Sequence, residues 1–181
     1  MPLLIVDRDG VINEDSESYI KSPAEWIPVP GSPEALAKAT QAGFRIVVVS
    51  NQAGLAHGLF NMDTLNEIHA KMIKELKRYG GEIEAIFFCP HAPEADCQCR
   101  KPRPGMLKEI GSRLRMSLED VPFIGDKISD VQAARAVQAR PILVRTGYGQ
   151  MTVDTEDVFG IEIYANLAAA IDDLVAEAEA A

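Results

Sequence analysis

The feature that most constrains this chain is a short apolar run ending in two acids, Leu3-Leu4-Ile5-Val6-Asp7-Arg8-Asp9-Gly10-Val11. A near-continuous apolar run of this length reads as a strand buried on both faces of a parallel sheet. Open α/β sheets place their ligands beyond the carboxyl ends of such strands. Residues two apart on an extended chain share a side, so Asp7 and Asp9 can both reach one reacting centre. Gly10 allows the chain to turn there without a steric penalty. An acidic turn of no chemical consequence has the same local pattern, and the rest of the chain decides between the two.

The pattern recurs. Phe44 to Val49 reads as a second buried strand and runs into Ser50-Asn51-Gln52-Ala53-Gly54, a turn rich in neutral hydrogen-bond donors suited to phosphate oxygens. A third strand, Ile83 to Phe88, ends at Cys89, and a fourth, Val121 to Ile124, gives way to Gly125-Asp126-Lys127-Ile128-Ser129-Asp130. Asp130 falls one helical turn beyond Asp126, on the same side. Pro141 to Val144 is a fifth strand, Arg145 to Gly149 a loop, and Ile161 to Tyr164 a short edge strand.

Helical segments lie between the strands. Ser32-Pro33 reads as a cap with Pro at the first helical position, and Gly43 stops that helix. Thr64-Leu65-Asn66-Glu67 resembles a capping box, with Leu65, Ile68, Met72 and Leu76 at helical spacing and His69 expected at the surface or an edge. Pro104 opens a helix carrying Met106, Leu107, Ile110 and Leu114; Val131, Ala134 and Val137 mark another, and Asn166 caps a terminal Ala/Glu-rich one. Strands alternating with helices imply a doubly wound, Rossmann-like parallel sheet with its site along the carboxyl edge. No internal repeat or linker divides the 181 residues, so one domain, 1–181, is expected.

Two connections do not fit a minimal sheet. Residues 11–31 form a long excursion carrying Tyr19, Ile20, Trp26 and Ile27, which reads as an ordered flap over the strand ends. The second is Cys89-Pro90-His91 followed by Cys97-Gln98-Cys99, which holds all three cysteines of the chain. Three thiols and one imidazole fill a tetrahedral Zn²⁺ site with no open position, so zinc here is expected to be structural. The loop leads into Arg100-Lys101-Pro102-Arg103, three cations in four residues of a chain whose net charge is −9. Zinc would pin this loop and aim Arg100 and Lys101.

That net charge argues against a broad nucleic-acid surface. No apolar run approaches the roughly 20 residues of a membrane span. The chain begins Met1-Pro2 and enters the first strand with no basic or apolar leader, so a cytoplasmic location is expected. The lack of a long apolar face favours a monomer. Asp7, Asp9 and Asp126 meeting at one edge would repel one another unless a cation joined them. Oxygen ligands at a wet site favour Mg²⁺, which also takes substrate phosphate as a ligand. Lys101 and Ser50 would complete a pocket for a tetrahedral dianion, a constellation suited to aspartyl-phosphate chemistry.

In this order, Asp7-Arg8-Asp9-Gly10-Val11, Ser50, Lys101 and Gly125-Asp126-Lys127 with Asp130 resemble the four motifs of the haloacid dehalogenase superfamily of phosphatases. The resemblance extends from residue 3 to about 149. Within that superfamily the zinc loop and Arg100-Lys101-Pro102-x-Pro104-Gly105 are similar to the zinc-containing heptose bisphosphate phosphatases, cytoplasmic enzymes of ADP-heptose synthesis for lipopolysaccharide core or S-layer glycans. The resemblance implies that Asp7 becomes the aspartyl phosphate, and that Asp9 protonates the leaving sugar oxygen and then activates water. It implies Mg²⁺ on the Asp7 carboxylate, the Asp9 carbonyl and Asp126, and Ser50 and Lys101 on the transferring phosphoryl group. Asp130 would order the Asp126 loop. Substrate contacts would come from Asp15, Tyr19, Asn51, Gln52, Ala53, Arg100 and Lys127, and the superfamily's usual cap domain is absent. Ala53 and His57 stand where the heptose enzymes commonly carry Ser and Arg. The nearest rival, a histidinol-phosphate phosphatase, is disfavoured by Pro104-Gly105 and Lys127. A non-catalytic zinc-stabilised module would have no use for Asp7, Asp9, Lys101 and Asp126 together.

Overall fold

A computed structural model of the chain describes residues 1–180. Six strands form a single parallel sheet: β1 (Leu3–Asp7), β2 (Arg45–Asn51), β3 (Ala85–Cys89), β4 (Pro122–Gly125), β5 (Arg140–Val144) and β6 (Glu162–Tyr164), in the order β3-β2-β1-β4-β5-β6. The chain first builds outward from β1 to β2 and β3, then returns to the other side of β1 for β4, β5 and β6. The reversal lies between β1 and β4, the topological switch point where open α/β sheets leave a crevice. β1 is flanked on both sides, with Val6 level with Val48 of β2 and Ile124 of β4.

Alternation along the strands divides the core. Leu4, Val6, Ile46 and Val48 face a layer made by α1 (Ser32–Gln41), α2 (Met62–Arg78) and α6 (Leu167–Ala180). Leu3, Ile5, Val47 and Val49 face α3 (Gly105–Leu114) and α4 (Ile128–Arg135). Both faces of β1 are therefore dry, and all five of its residues are buried. This is the physical reason its sequence is apolar until the crevice is reached.

The expected flap is present and ordered. Val29 N–H donates to Ile12 C=O (3.0 Å) and Glu14 N–H to Ile27 C=O (2.8 Å), so the excursion folds back on itself. Ile12, Ile20, Trp26 and Val29 enter the core. Lys71 of α2 clamps the returning limb, its Nζ donating to the carbonyls of Pro23 and Trp26 at 2.7 Å each.

Local details depart from the sequence reading. Ser32 is not the cap of α1: Gly31 (φ 84°) takes that place, and the Ser32 hydroxyl donates to Val11 C=O (2.8 Å), tying the helix to the flap. α2 begins before the Thr64–Glu67 box, because Asn61 Oδ1 accepts from Thr64 N–H (2.9 Å) and caps the helix earlier. β3 starts at Ala85 rather than Ile83. The segment after Arg145 is not all loop: α5 (Gly149–Thr155) follows, too short and too polar to leave a periodic signal. Asn166 does cap α6, its Oδ1 accepting from Ala169 N–H (2.9 Å).

Candidate active site

Asp7 ends β1 at the switch point, and Gly10 turns the chain immediately after it. Gly10 has φ +85°, and a Cβ there would stand 2.2 Å from Asp126 Oδ2. Gly147 (φ +57°) is constrained in the same way, with 2.3 Å to the same oxygen. These two glycines let the Asp126 carboxylate lie against the backbone of two other loops, and any side chain would push it away.

The carboxylates of Asp7, Asp126 and Asp130 converge, with one oxygen of each within 4.8 Å of the others. All three are buried. Asp7 Oδ1 accepts from Arg8 N–H (2.8 Å) and pairs with Lys101 Nζ (2.9 Å). Lys101 Nζ also meets Asp130 Oδ1 (2.6 Å). Asp130 Oδ2 accepts from the backbone N–H groups of Asp126 (3.2 Å) and Lys127 (3.0 Å), so Asp130 orders this loop. Asp126 Oδ2 accepts from Tyr148 N–H (2.8 Å), and the Thr152 hydroxyl of α5 donates to Asp126 C=O (2.8 Å). Asp126 Oδ1 is buried and accepts no hydrogen bond.

This orphaned oxygen tests whether the site suits a cation. Asp7, Asp126 and Asp130 bring three negative charges, against which stand Lys101 and Lys127, the latter 3.7 Å from Asp126. At least one charge is uncompensated, since Lys127 is shared with Asp15. Burial, reinforced by Asp7 and Asp130, pushes Asp126 up to about 8 against the pull of Lys127. Burial and Asp130 push Asp7 up to about 6, with Lys101 and Lys127 opposing. Carboxylates that resist ionisation beside an unsatisfied oxygen suit Mg²⁺, a hard ion that takes oxygen ligands.

Asp9, expected to meet Asp7 and Asp126, has its carboxylate outside this group, drawn off by Arg8, Asn13 and Gln52, and Asp130 stands in its place. The Asp9 carboxylate accepts from Arg8 Nε (3.0 Å) and Nη2 (2.8 Å), from Asn13 Nδ2 (2.9 Å) and from Gln52 Nε2 (2.9 Å). Burial works to raise its pKa, but Arg8 and Asn13 outweigh that and hold it below the usual carboxylate range. Gln52 Nε2 also donates to the Ser50 hydroxyl (2.7 Å), which is fully buried. Asn51 and the Lys101 backbone bond reciprocally, Nδ2 to C=O and N–H to Oδ1, both at 3.1 Å. The amides of Asn51 and Gln52 thus frame Lys101, Asp9 and Ser50.

Above these groups a cleft of about 510 Å³ is lined by Asp15, Tyr19, Asn51, Gln52, Ala53, Arg100, Lys101 and Lys127, and also by Ser129 and Tyr148. Every residue expected at the substrate therefore borders the cleft except Ser50, which lies beneath it. Lys127 reaches across to Asp15 (2.7 Å) and sits 4.9 Å over the Tyr148 ring, joining the flap to the Asp126 loop. Tyr148 and Ser129 carried no signal in the sequence, since each reaches the cleft only through tertiary folding. His57, one of the two departures noted above, meets the ring of Tyr19 at 5.8 Å.

The zinc ligands converge as expected. Cys89, Cys97 and Cys99 have Sγ···Sγ separations of 3.1 to 3.6 Å, and His91 Nδ1 lies 3.2 Å from Cys99 and 3.6 Å from Cys89. Four ligands about 2.3 Å from one ion at tetrahedral angles stand roughly 3.5 to 3.8 Å apart, whereas a disulfide needs about 2.05 Å. The cluster fits zinc. Arg103 braces the loop by donating to the carbonyls of Asp96 (2.8 Å) and Cys97 (2.9 Å).

A further expectation is corrected in part. His69, expected at the surface or an edge, is buried on α2 beside the edge strand β3, with Nε2 3.2 Å from Arg8 Nη1. Its apolar-face spacing with Leu65, Ile68, Met72 and Leu76 was the signal available.

An Asp-x-Asp strand end, a buried lysine and an acidic loop gathered at the switch point of such a sheet define a hydrolase of the haloacid dehalogenase type. A family model described as HAD-hydrolase-like matches residues 98–170. The chain is 47% identical over 179 residues to D-glycero-beta-D-manno-heptose-1,7-bisphosphate 7-phosphatase of Bordetella bronchiseptica, covering 98% of this chain and 100% of that one. It is 46% identical to the enzyme of the same name from Pseudomonas aeruginosa, covering 96% and 97%. The crystal structure of D,D-heptose 1,7-bisphosphate phosphatase from B. bronchiseptica, complexed with magnesium and phosphate, superposes with a TM-score of 0.96 at 47% identity, covering 98% of this chain and 99% of that one. The chain belongs to the D-glycero-beta-D-manno-heptose-1,7-bisphosphate 7-phosphatase family.

Proposed function

We propose that this protein is a Mg²⁺-dependent phosphomonoesterase that removes the C7 phosphate of D-glycero-beta-D-manno-heptose 1,7-bisphosphate through a phosphoaspartate on Asp7, within ADP-heptose synthesis. The observation that carries this reading is Asp7 itself. Its Oδ1 is fixed by Arg8 N–H and Lys101, in a small pocket that shares Asp9, Asn51, Lys101, Lys127 and Ser129 with the larger cleft bordered by Arg100. With Oδ1 engaged, Oδ2 is the oxygen offered to phosphorus.

Asp7 attacks phosphorus, and the bond to the sugar oxygen breaks. Asp9 gives that oxygen a proton, and the free hydroxyl leaves. Water then attacks the phosphoaspartate, Asp9 takes its proton, and inorganic phosphate departs with Asp7 restored. In the free protein Arg8 keeps Asp9 ionised, which suits the second duty. The phosphomonoester dianion places negative charge beside Asp9 and raises its proton affinity, so Asp9 takes up the proton for the first duty from solvent as the substrate binds. Lys101 and Ser50 steady the transferring group, and Lys127 and Arg100 hold the rest of the substrate together with Asp15, Tyr19, Asn51, Gln52 and Ala53. Asp7, the Asp9 carbonyl and Asp126 would hold Mg²⁺, which neutralises charge on the phosphoryl oxygens when bound. Cys89, His91, Cys97 and Cys99 would hold zinc.

The chain acts as a single catalytic domain, residues 1–181, and as a cytoplasmic monomer. The continuous six-stranded sheet supports the first. The second is supported by the net charge of −9, and among the described residues no helix is long and apolar enough to cross a membrane. Phosphate release from both anomers of the heptose bisphosphate, beside L-histidinol phosphate, tests the substrate. A dominant kcat/KM for the beta anomer with the C1 phosphate retained is expected. Equal weak rates on all three would overturn the substrate, and undiminished turnover by Asp7→Asn would overturn the nucleophile.

A further inference from the structure

Arg8 poses a question that the reaction scheme leaves open. It lies between the two catalytic acids in sequence, yet its side chain turns away from the cleft and is fully buried. Its Nε and Nη2 hold the Asp9 carboxylate at 3.0, 2.8 and 3.1 Å. The remaining arm, Nη1, meets His69 Nε2 at 3.2 Å. A guanidinium can only donate, so Nε2 must be the acceptor and the imidazole proton sits on Nδ1.

His69 arrives from α2, sixty-one positions along the chain, and is itself buried. The groups that face it are Arg8 and, beyond it, Asp9 from the β1 end, and the Phe88 ring of β3 at 6.3 Å, with Asn66 of its own helix and Glu84 along the adjoining groove. Burial and the Arg8 charge depress its pKa to about 4, so the ring stays neutral and keeps its acceptor.

We propose that His69 is a positioning residue of the reaction: as a neutral acceptor on α2 it fixes the Arg8 guanidinium, and through it the angle at which Asp9 meets the leaving-group oxygen. This inference rests on Asp9 acting as the general acid. Asp9 also receives Asn13 and Gln52, but these come from loops, whereas Arg8–His69 anchors it to a regular helix. A buried donor deprived of its acceptor seeks another, and Arg8 swinging toward one would drag Asp9 with it.

The test compares two leaving groups. The p-nitrophenolate ion departs without needing a proton, whereas the alkoxide of a sugar or simple alkyl phosphate needs one in the transition state. Because kcat/KM covers only the steps up to aspartyl phosphate formation, it isolates this demand. For His69→Leu, kcat/KM on an alkyl phosphate is expected to fall about tenfold or more, with p-nitrophenyl phosphate changed by less than about threefold. His69→Gln, which keeps an acceptor oxygen, is expected to restore most of the loss. An equal fall on both substrates, or no fall on either, would overturn the proposal. If His69→Leu does not fold, His69→Phe, which fills the same site without an acceptor and leaves Arg8 on Asp9, must show the same discrimination, and failure to do so overturns it as well. Unaltered protein that hydrolyses neither compound would overturn the phosphatase reading instead, so the two failures are distinct.

Discussion

Magnesium affinity should collapse on acidification, and the structure sets by how much. The perturbation is a pH change from 8 to 5 on zinc-loaded, magnesium-free protein. Asp126 has a folded-state pKa near 8, raised by burial and by Asp7 and Asp130, and its Oδ1 has no hydrogen-bond partner. Mg²⁺ must therefore displace a proton. At pH 8 the Asp126 carboxyl is about half ionised and at pH 5 about one part in a thousand, so its proton alone lowers apparent affinity roughly 500-fold, or about 4 kcal/mol, and the Asp7 proton adds about a further tenfold. The sign for stability follows. The folded pKa lies above the unfolded value near 3.8, so the folded state holds this proton more tightly. The stability linked to that proton is complete below about pH 4 and is lost as pH rises through 8. Asp7, raised to about 6, acts in the same direction. His69, depressed to about 4, acts oppositely between about pH 4 and 6.5, but equally with and without metal, so it cancels from the difference. Calorimetric Mg²⁺ titrations at pH 5, 6.5 and 8 supply the assay, in two buffers of different ionisation enthalpy to count protons. Release of slightly more than one proton at pH 6.5, about one from Asp126 and about a quarter from Asp7, and about half of one at pH 8 is expected. An affinity independent of pH would refute the reasoning, because it would mean Asp126 is already ionised and its oxygen satisfied some other way.

Other consequences can be checked as directly. Lys101→Met should abolish turnover and lower the melting temperature, since it leaves Asp7 and Asp130 buried without their shared cation, a loss of about 3–5 kcal/mol measurable by denaturant unfolding. Cys97→Ser should weaken zinc binding and lower activity on sugar phosphates while sparing the sheet, as read by metal analysis and far-ultraviolet circular dichroism; full activity in zinc-free protein would refute the positioning of Arg100 and Lys101 by the loop. Lys127→Ala should raise KM for a bisphosphorylated sugar by about tenfold, because it removes the cation joining the flap to the Asp126 loop, and an unchanged KM would remove Lys127 from the substrate. Gly10→Ala should cost activity through two independent strains, the positive φ and the 2.2 Å approach to Asp126, and a melting temperature and turnover both unchanged would show the turn to be tolerant.

Most of the candidate site was legible in the chain because Asp7 and Asp126 stand where buried strands end. An apolar run that stops at Asp7 or Asp126 marks the place where the sheet's dry interior meets the crevice, and the parallel arrangement brings those places together. The zinc ligands were legible for a similar reason, being close in sequence and soft in chemistry. Sequence alone thus determined the sheet class, the acids at the strand ends, Lys101 and the Cys₃His cluster.

Tertiary structure decided what depends on partners far along the chain. It moved Ser32 from helix cap to flap anchor because Val11 C=O lay within reach, and it set the start of α2 at Asn61. It turned Asn51 and Gln52 toward Lys101, Asp9 and Ser50, and left one oxygen of Asp126 without a donor. It took His69 from an apolar helix face to the back of Asp9. Hydrogen bonds to a distant group leave no periodicity behind, and a side chain's charge state is set by the dielectric and the neighbours that folding assembles. Residue type and local spacing name the reactive groups, but only the packed arrangement of β1, β4, α2 and the two loops determines which protons those groups hold and where they point.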